Sequence, residues 1–152
     1  MCTYVSYSNP KYYFDSWTLP DRAATAEALQ WLEPFDSICE VGASSGPLQK
    51  ALTRRWPTKQ LYAVQPDRDS MAYGQAQLGS AVTWIPQCGC QGVAQRPVDV
   101  VVFSHCLDGL RGQDWRTVLA AGCAAAQRGI VMVESVDCEA VVQSVPSRKP
   151  EP

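Results

Sequence analysis

The chain alternates between short apolar runs and longer stretches in which apolar residues recur every three or four positions. The runs predict five strands, at residues 38–41, 60–65, 81–85, 98–104 and 129–134. The stretches predict four helices, at residues 18–34, 48–56, 67–78 and 114–126. This alternation predicts a doubly wound α/β domain, in which helices cover both faces of a mostly parallel sheet.

The fourth run, residues 98–104, is apolar at nearly every position. A run of this kind is typical of a strand in a parallel sheet that is buried on both faces. In such sheets, ligands bind at the carboxyl ends of the strands, where the strand order reverses. We therefore expect a functional site in the crevice at that edge.

The predicted core comprises residues 35–135, and the segments on either side of it belong to the same single domain. Residues 1–34 combine an aromatic arm with the first helix. The arm, residues 4–17, is crowded with aromatic side chains and broken by a proline, which predicts neither a regular helix nor an alternating strand. We expect it to pack on the domain. Residues 136–152 form a short tail with several prolines.

The composition is that of a globular domain, since 46% of the 152 residues are apolar and 18% are charged. The formal net charge of −2 excludes a broad basic field for nucleic acid or an anionic membrane. No apolar run is long enough to span a bilayer, and the amino terminus lacks a basic region followed by an apolar one. We therefore expect a cytoplasmic protein.

Seven cysteines are present, and most lie within apolar strand or helix patterns, as small buried residues do in a reducing compartment. Cys88 and Cys90 differ because they lie in a polar loop, residues 86–97. A Cys-x-Cys pair can bind a metal, but zinc needs about four ligands, and the chain has one histidine and no Cys-x-x-Cys. We therefore expect two loop thiols without a metal.

One stretch, residues 36–46, organises the rest of the chain. An apolar run ends abruptly at Gly42, Ser44 and Gly46, and a helix pattern follows at once. A backbone that turns this sharply beside a ligand needs small residues, and the start of the next helix offers unpaired N–H donors. Glu40 lies at the end of the run, where its carboxylate can face the same crevice.

Glu40, Gly42, Ser44 and Gly46 form the pattern acid-x-Gly-x-(Gly or Ser)-x-Gly. This pattern resembles the first motif of the class I S-adenosylmethionine (SAM)-dependent methyltransferases. The resemblance implies a SAM-binding turn in which Gly42, Ala43, Ser44 and Gly46 hold the amino-acid end of the cofactor, while Glu40 shapes the turn. It also implies the strand order 3-2-1-4-5 and a role for the aromatic arm as a lid over the cofactor.

Two further stretches resemble motifs of the same family and extend the likeness over the predicted core. Residues 64–71 resemble the second motif, in which an acid binds both ribose hydroxyls, but this chain has Gln65 there. In the family an acid after the third strand often holds the adenine amine, and Cys88 takes that position here. Both changes replace charge-assisted hydrogen bonds by weaker ones, so we expect a reduced affinity for SAM.

Residues 99–108 resemble the fourth motif of the family, which places Ser104 and His105 at the mouth of the crevice. His105 is the candidate catalytic residue, either as a base or as a group that orients the acceptor. Its alternative role is to pack over the adenine or at the start of a helix. The resemblance implies a methyl acceptor that is a small molecule or a group presented by a protein partner.

The family normally continues past the fifth strand with a helix and two more strands, and only residues 136–152 follow here. The fifth strand would then form an open, apolar edge at residues 130–134. We expect a second copy of the chain or a different subunit to cover that edge. The altered acids and the missing strands also leave open a second function, that of a catalytically inactive, methyltransferase-like subunit.

Three other interpretations of the glycine-rich turn are open. A dinucleotide fingerprint requires glycines at its first, third and sixth positions, where this turn has Gly42, Ser44 and Pro47. Residues 42–46 also match Gly-x-Ser-x-Gly, the nucleophile elbow of α/β-hydrolases, in which Ser44 would be the nucleophile and His105 its base. The triad order on that fold is Ser, acid, His, and only a short segment precedes this turn. The third interpretation is a tight turn without a ligand.

Overall fold

The computed structural model describes residues 9–16, 19–107 and 114–134. Five strands lie in these ranges: β1 (Ser37–Val41), β2 (Gln60–Val64), β3 (Thr83–Ile85), β4 (Val98–Ser104) and β5 (Ala126–Val133). The α-helices in the same ranges are α1 (Pro10–Ser16), α2 (Leu19–Gln30), α3 (Pro47–Arg55), α4 (Arg68–Leu78), α5 (Gly89–Gly92) and α6 (Asp114–Ala125). None of these helices has both the length and the apolar character needed to cross a bilayer.

The five strands form one sheet in the order β3-β2-β1-β4-β5, and every neighbouring pair is parallel. The predicted strand order and the doubly wound α/β fold are therefore confirmed. The chain builds outward from β1 to β3 and then returns to β4 on the other side of β1. Because of this reversal, the segments after β1 and β4 flank the crevice in which such sheets bind ligands.

The sheet separates two hydrophobic clusters, one on each face. Helices α2 and α3 cover one face, where Leu29, Leu48 and Leu52 join the cluster. Helix α6 covers the other face through Val118. Because both faces are covered, the central strands need apolar residues at successive positions, which explains why their sequence does not alternate.

Helix α1 contradicts the prediction that the aromatic arm lacks a regular helix. Asn9 caps this helix, since its side-chain oxygen accepts a hydrogen bond from the N–H of Tyr12 at 3.1 Å. Pro10 occupies the first helical position, which suits its fixed backbone angle. Phe14 is buried against the ring of Tyr73 in α4, with the ring centroids 5.6 Å apart. Helix α1 thus packs on the domain.

Other boundaries differ from the predictions where the local signals are weak. Helix α2 ends at Gln30, earlier than predicted, and Trp31 just after it is 84% exposed. Strand β5 starts at Ala126, because pairing with β4 extends it beyond its apolar residues. The predicted loop at residues 86–97 contains α5 and a short 3-10 turn. The predicted tail at residues 136–152 lies outside the described residues.

Candidate functional site

The glycine turn, from Gly42 to Gly46, connects β1 to α3 at the carboxyl edge of the sheet. Gly42, Ser44 and Gly46 have left-handed backbone conformations, with φ of 72°, 52° and 89°. The N–H groups of Gly42 and Ala43 both donate to the carbonyl oxygen of Val64, at 2.9 and 3.2 Å, which fastens the turn to the end of β2. These left-handed residues reverse the chain tightly enough for α3 to start directly after the turn.

Both glycines of the turn are required by the packing of the protein itself. A Cβ at Gly42 would lie 2.5 Å from Cβ of Cys106, and one at Gly46 would lie 3.0 Å from Cη2 of Trp84. Both distances are shorter than ordinary contacts between carbon atoms. The turn is therefore held from two directions, by the segment after β4 and by β3. Enlarging either residue would disturb this packing before it affected a ligand.

Glu40 lies beneath the glycine turn, where it is 3% exposed. One carboxylate oxygen accepts a hydrogen bond from Nε2 of Gln49 in α3 at 2.9 Å. Burial raises the pKa of Glu40 from 4.5 to about 7, because the charged form loses its hydration, and the hydrogen bond from Gln49 opposes that rise. The carboxyl group thus joins β1 to α3, which agrees with a role in shaping the turn.

Two buried hydroxyl groups lie where the strand order reverses. Ser44 Oγ in the glycine turn and Ser104 Oγ at the end of β4 make no hydrogen bond with any described residue. The two residues are only 8% and 5% exposed. By contrast, Ser45 Oγ donates to the carbonyl oxygen of Pro10 at 2.7 Å. A buried hydroxyl without a partner costs about 1–3 kcal/mol, so this edge holds two groups that a polar ligand can satisfy.

Gln65 and Cys88 follow β2 and β3, so they continue the same edge of the sheet away from β4. Gln65 is 5% exposed, and its side-chain oxygen accepts a hydrogen bond from the N–H of Asp67 at 3.3 Å. Cys88 precedes α5, with its sulfur 3.0 Å from that of Cys90. Within the described ranges, no cluster of three or more His, Cys, Asp or Glu side chains can hold a metal ion.

His105 follows β4 and has a left-handed backbone conformation, with φ of 50°. Its N–H donates to the carbonyl oxygen of Val133 at 2.7 Å. The next two N–H groups, of Cys106 and Leu107, donate to Oε1 of Glu134 at 3.2 and 3.1 Å. A residue other than glycine keeps a positive φ only where its surroundings impose it, and such residues cluster at functional sites.

Glu134 belongs to this site although no sequence motif marks it. The sequence places Glu134 at the end of the fifth predicted strand, and only the pairing of β4 with β5 brings its carboxylate to the loop after β4. The available signal is an acid at the carboxyl end of a strand in a parallel sheet. Such an acid lies at the edge where ligands bind.

The structure places the predicted site residues at one edge of the sheet, apart from Glu40, which lies beneath the turn. The other predicted residues follow the carboxyl ends of the first four strands, or, in one case, form the last residue of β4. They are Gly42, Ala43, Ser44, Gly46, Gln65, Cys88, Ser104 and His105. The hydroxyl of Ser44 makes no hydrogen bond to His105. The pair that a hydrolase requires, a nucleophile bonded to its base, is thus not formed in this structure.

The sequence matches no protein-family model and no curated protein. Solved structures resemble the chain over most of its length. CalS10, an amino pentose methyltransferase from Micromonospora echinaspora, superposes with a TM-score of 0.72 at 16% identity, over 92% of this chain and 61% of its own. DesVI from Streptomyces venezuelae gives a TM-score of 0.65 at 16% identity, over 80% of this chain and 54% of its own.

A third similar structure is the magnesium protoporphyrin IX methyltransferase ChlM from Synechocystis PCC 6803, with a TM-score of 0.63 at 15% identity, over 80% of this chain and 66% of its own. The structures of CalS10 and ChlM contain bound SAM. These similarities show that the chain has the class I methyltransferase fold, as the resemblance of its glycine turn implied. The chain spans 45–66% of the length of the methyltransferases that it resembles.

Proposed function

We propose that this chain binds S-adenosylmethionine at the glycine turn and transfers its methyl group to a small molecule or to a group presented by a protein partner. The observation that carries the proposal is the pair of buried hydroxyls, Ser44 and Ser104, which have no partner among the described residues at the reversal of the strand order. The carboxylate and ammonium groups of an amino-acid ligand would compensate the desolvation of both hydroxyls. The proposed compartment is the cytoplasm, because no described cysteine forms a disulfide.

When bound, SAM supplies a methyl group that is activated by a positively charged sulfur. The residues of this chain bind and orient the reactants, because a transfer of this type requires mainly alignment of the nucleophile with the methyl group. In this proposal Gln65, after β2, binds the ribose and Cys88, after β3, binds the adenine. Both are neutral hydrogen-bonding groups, so the proposed affinity for the adenosine part is modest.

His105 is the residue proposed to act on the methyl acceptor. The bond from its N–H to Val133 and the bonds of the next two residues to Glu134 fix its backbone at the end of β4. An imidazole nitrogen there takes the proton from an O–H or N–H acceptor, or orients an acceptor that has no proton to lose. In this proposal Glu134 is a positioning residue, since it acts through the backbone after His105.

A second candidate function is that of a catalytically inactive, methyltransferase-like subunit with a structural or regulatory role. The observation that favours it is the hydrogen bond from the N–H of Asp67 to the side-chain oxygen of Gln65. That oxygen already serves the local turn, and no carboxylate stands at this position to bind a diol. The two functions differ in whether the unmodified protein turns over SAM in the presence of an acceptor.

The test of SAM binding removes the two buried hydroxyls separately. Ser44→Ala and Ser104→Ala should each weaken SAM binding by about 1 kcal/mol, which is roughly a five-fold rise in Kd. The unliganded variants should be at least as stable as the parent, because each loses a buried hydroxyl without a partner. Calorimetric titration and urea unfolding measure the two effects.

Ser37→Ala is the matched control, because Ser37 lies at the amino end of β1, where its Oγ accepts a hydrogen bond from the N–H of Asp99 at 2.9 Å. This variant should lose stability without a change in the Kd for SAM. An equal Kd in all four proteins would refute the assignment of the two hydroxyls to the cofactor site.

We also propose that a protein partner, either a second copy of the chain or a different subunit, lies along β5. Among the described strands β5 pairs only with β4, and Met132 in β5 is 50% exposed. The carbonyl oxygen of Leu32 accepts a hydrogen bond from Arg128 of β5 at 3.2 Å. The exposed Trp31 directly precedes Leu32 in the chain, so a second exposed apolar residue is close in sequence to this contact with β5. Open apolar strand edges invite pairing, and a specific interface there should bury at least about 1,000 Å².

Sedimentation at micromolar concentration tests this partner. We expect a dimer that Met132→Lys dissociates, while Gln77→Lys, at an exposed position of α4, leaves it intact. Recovery of a different subunit from the source would identify a heteromeric partner instead. A monomer that recovers no partner would exclude an interface along β5.

A further inference from the structure

Cys88 and Cys90 form a close pair of thiols at the edge of the crevice, after β3. Their sulfur atoms lie 3.0 Å apart, and both side chains are half-buried, so small solutes have access to them. Cys88 precedes α5 in an extended conformation, with ψ of 159°, and Cys90 lies in the first turn of that helix. The S–S bond of a disulfide is about 2.0 Å long, so a movement of about 1 Å would join the two sulfurs.

Gly89, between the two cysteines, connects the thiol pair to the glycine turn of the crevice. A Cβ on Gly89 would lie 2.7 Å from Cγ1 of Val41 and 2.8 Å from Cγ1 of Val118. The backbone at Gly89 is therefore wedged between the end of β1 and α6, where no side chain fits. Val41 directly precedes Gly42, so Gly89 packs against the residue that leads into the glycine turn.

We propose that Cys88 and Cys90 are a redox-active dithiol, which a small disulfide such as oxidised glutathione converts to an intrachain disulfide that weakens cofactor binding. In the first exchange, the thiolate of one cysteine attacks a sulfur of the small disulfide and releases one small thiol. In the second, the thiolate of the other cysteine attacks the mixed disulfide and releases the second small thiol. The two cysteines together lose two electrons and two protons, which reduce one small disulfide to two thiols.

The size of the closed ring makes this disulfide a reversible one. Only Gly89 separates the two cysteines, so the bridge would force the backbone out of the helical turn that it now forms. Strained and exposed disulfides have higher reduction potentials and are the ones that exchange readily. Closing the bridge also moves Gly89, which is already in tight contact with Val41 and Val118. The strain is therefore passed to the end of β1.

Other described thiols differ from this pair in accessibility or in number. Cys39 is 3% exposed, and burial raises the pKa of its thiol to about 12, so its thiolate does not form near neutral pH. Cys106, after β4, is a single half-buried thiol, and Cys123 is a single exposed thiol on α6. Cys123 is therefore the matched control for reactivity that depends on accessibility alone.

The first arm of the test is chemical and does not depend on the cofactor. The reduced, full-length protein is treated with oxidised glutathione and analysed by intact mass and by peptide mapping. We expect a link between Cys88 and Cys90 in a peptide that has lost two hydrogen atoms, glutathione on single accessible thiols such as Cys123, and reversal of both by excess thiol. Cys88→Ser and Cys90→Ser should each retain glutathione on the remaining thiol, and Cys123→Ser should form the link as the parent does. Mixed disulfides without a link in the parent would overturn the proposal.

The second arm rests on the proposed function, since it measures SAM binding by calorimetry before and after oxidation. The oxidised protein should bind SAM about tenfold more weakly, because the bridge consumes the Cys88 thiol proposed for the adenine and moves Gly89, which is in tight contact with Val41. The double variant Cys88→Ser/Cys90→Ser should give the same Kd with and without the oxidant. A link that forms without changing the Kd would overturn the coupling. A link that forms in a protein that binds no SAM in either state would instead overturn the proposed function, and the dithiol chemistry would stand.

Discussion

Strands β4 and β5 are neighbours in one sheet and contain the same kind of apolar residue, but they differ in burial. In β4, the four residues from Val100 to Phe103 are each 0% exposed. In β5, only Val131 is buried, and Met132, the register partner of Phe103, is 50% exposed. An apolar run thus specifies a strand, while its position in the sheet and the cover on its faces decide whether it joins the core.

Substitutions at Phe103 and Met132 test this difference in burial. Phe103→Ala should lower the free energy of unfolding by about 3–5 kcal/mol, because it leaves a cavity against Gly122 of α6. Met132→Ala should cost less than about 1 kcal/mol, since half of that side chain is already exposed. Urea unfolding measures both. Equal losses would mean that β5 is buried in solution, and a loss at Met132 that grows with protein concentration would support the proposed partner.

Glu40 of β1, which pairs with Val102 of β4, shows how the buried centre of the sheet affects a charge. Its pKa is raised from 4.5 to about 7, so the folded state holds the proton more tightly than the unfolded state. The contribution of Glu40 to the free energy of unfolding is therefore largest below pH 4.5, and it falls by about 3 kcal/mol as the pH rises to 7. Glu40→Gln should remove this fall, as measured by urea unfolding across that range. Parallel pH curves for the two proteins would argue against a protonated, buried carboxyl.

The carboxyl end of β5 supports the candidate site, although among the described strands β5 pairs only with β4. Glu134→Ala removes the oxygen that accepts from the N–H groups of Cys106 and Leu107, and it should cost about 1–3 kcal/mol. Amide exchange at Cys106 and Leu107 should accelerate, while exchange at Val101 in β4 stays slow. Glu134→Gln, which keeps a neutral acceptor, should lie between the parent and Glu134→Ala. Unchanged exchange in Glu134→Ala would exclude the role of Glu134 as a support.

The same contrast explains how much of the fold the sequence predicts. Strand β4 is predicted over its full length, residues 98–104. Both faces of the sheet are buried at this strand, so its sequence is an almost continuous apolar run. Strand β5 is predicted only from residue 129, because pairing with β4 rather than apolar character extends it back to Ala126. Helix α1 is missed because the crowded aromatic residues obscure the start signal formed by Asn9 and Pro10.

For the candidate site, the sequence predicts positions along the chain but not the contacts of the side chains. Gly42 and Gly46 predict the turn, yet the spaces that they leave are taken by Cys106 and Trp84. Those contacts depend on how β3 and the segment after β4 pack on the turn. The place of Glu134 depends in the same way on the register between β4 and β5. Such contacts join residues far apart in the sequence, so no local pattern encodes them.

A weaker effect is expected at Gln65, which follows β2 and lies on the opposite side of β1 from β5. Gln65→Glu should tighten SAM binding by about 1 kcal/mol, because a carboxylate accepts charge-assisted hydrogen bonds from ribose hydroxyls. Its oxygens can still accept from the N–H of Asp67, as the Gln65 oxygen does now. Gln75→Glu, exposed on α4, controls for the added charge. Unchanged or weaker affinity in calorimetry would place the ribose elsewhere.

Calorimetric titration of the reduced parent protein with SAM is the decisive measurement of cofactor binding. We expect saturable binding of one SAM per chain and binding of S-adenosylhomocysteine at the same site. NAD, the ligand expected from a dinucleotide turn, should give no binding. If a chain that unfolds cooperatively in urea showed no saturable binding of SAM or S-adenosylhomocysteine, the proposed cofactor site would be wrong.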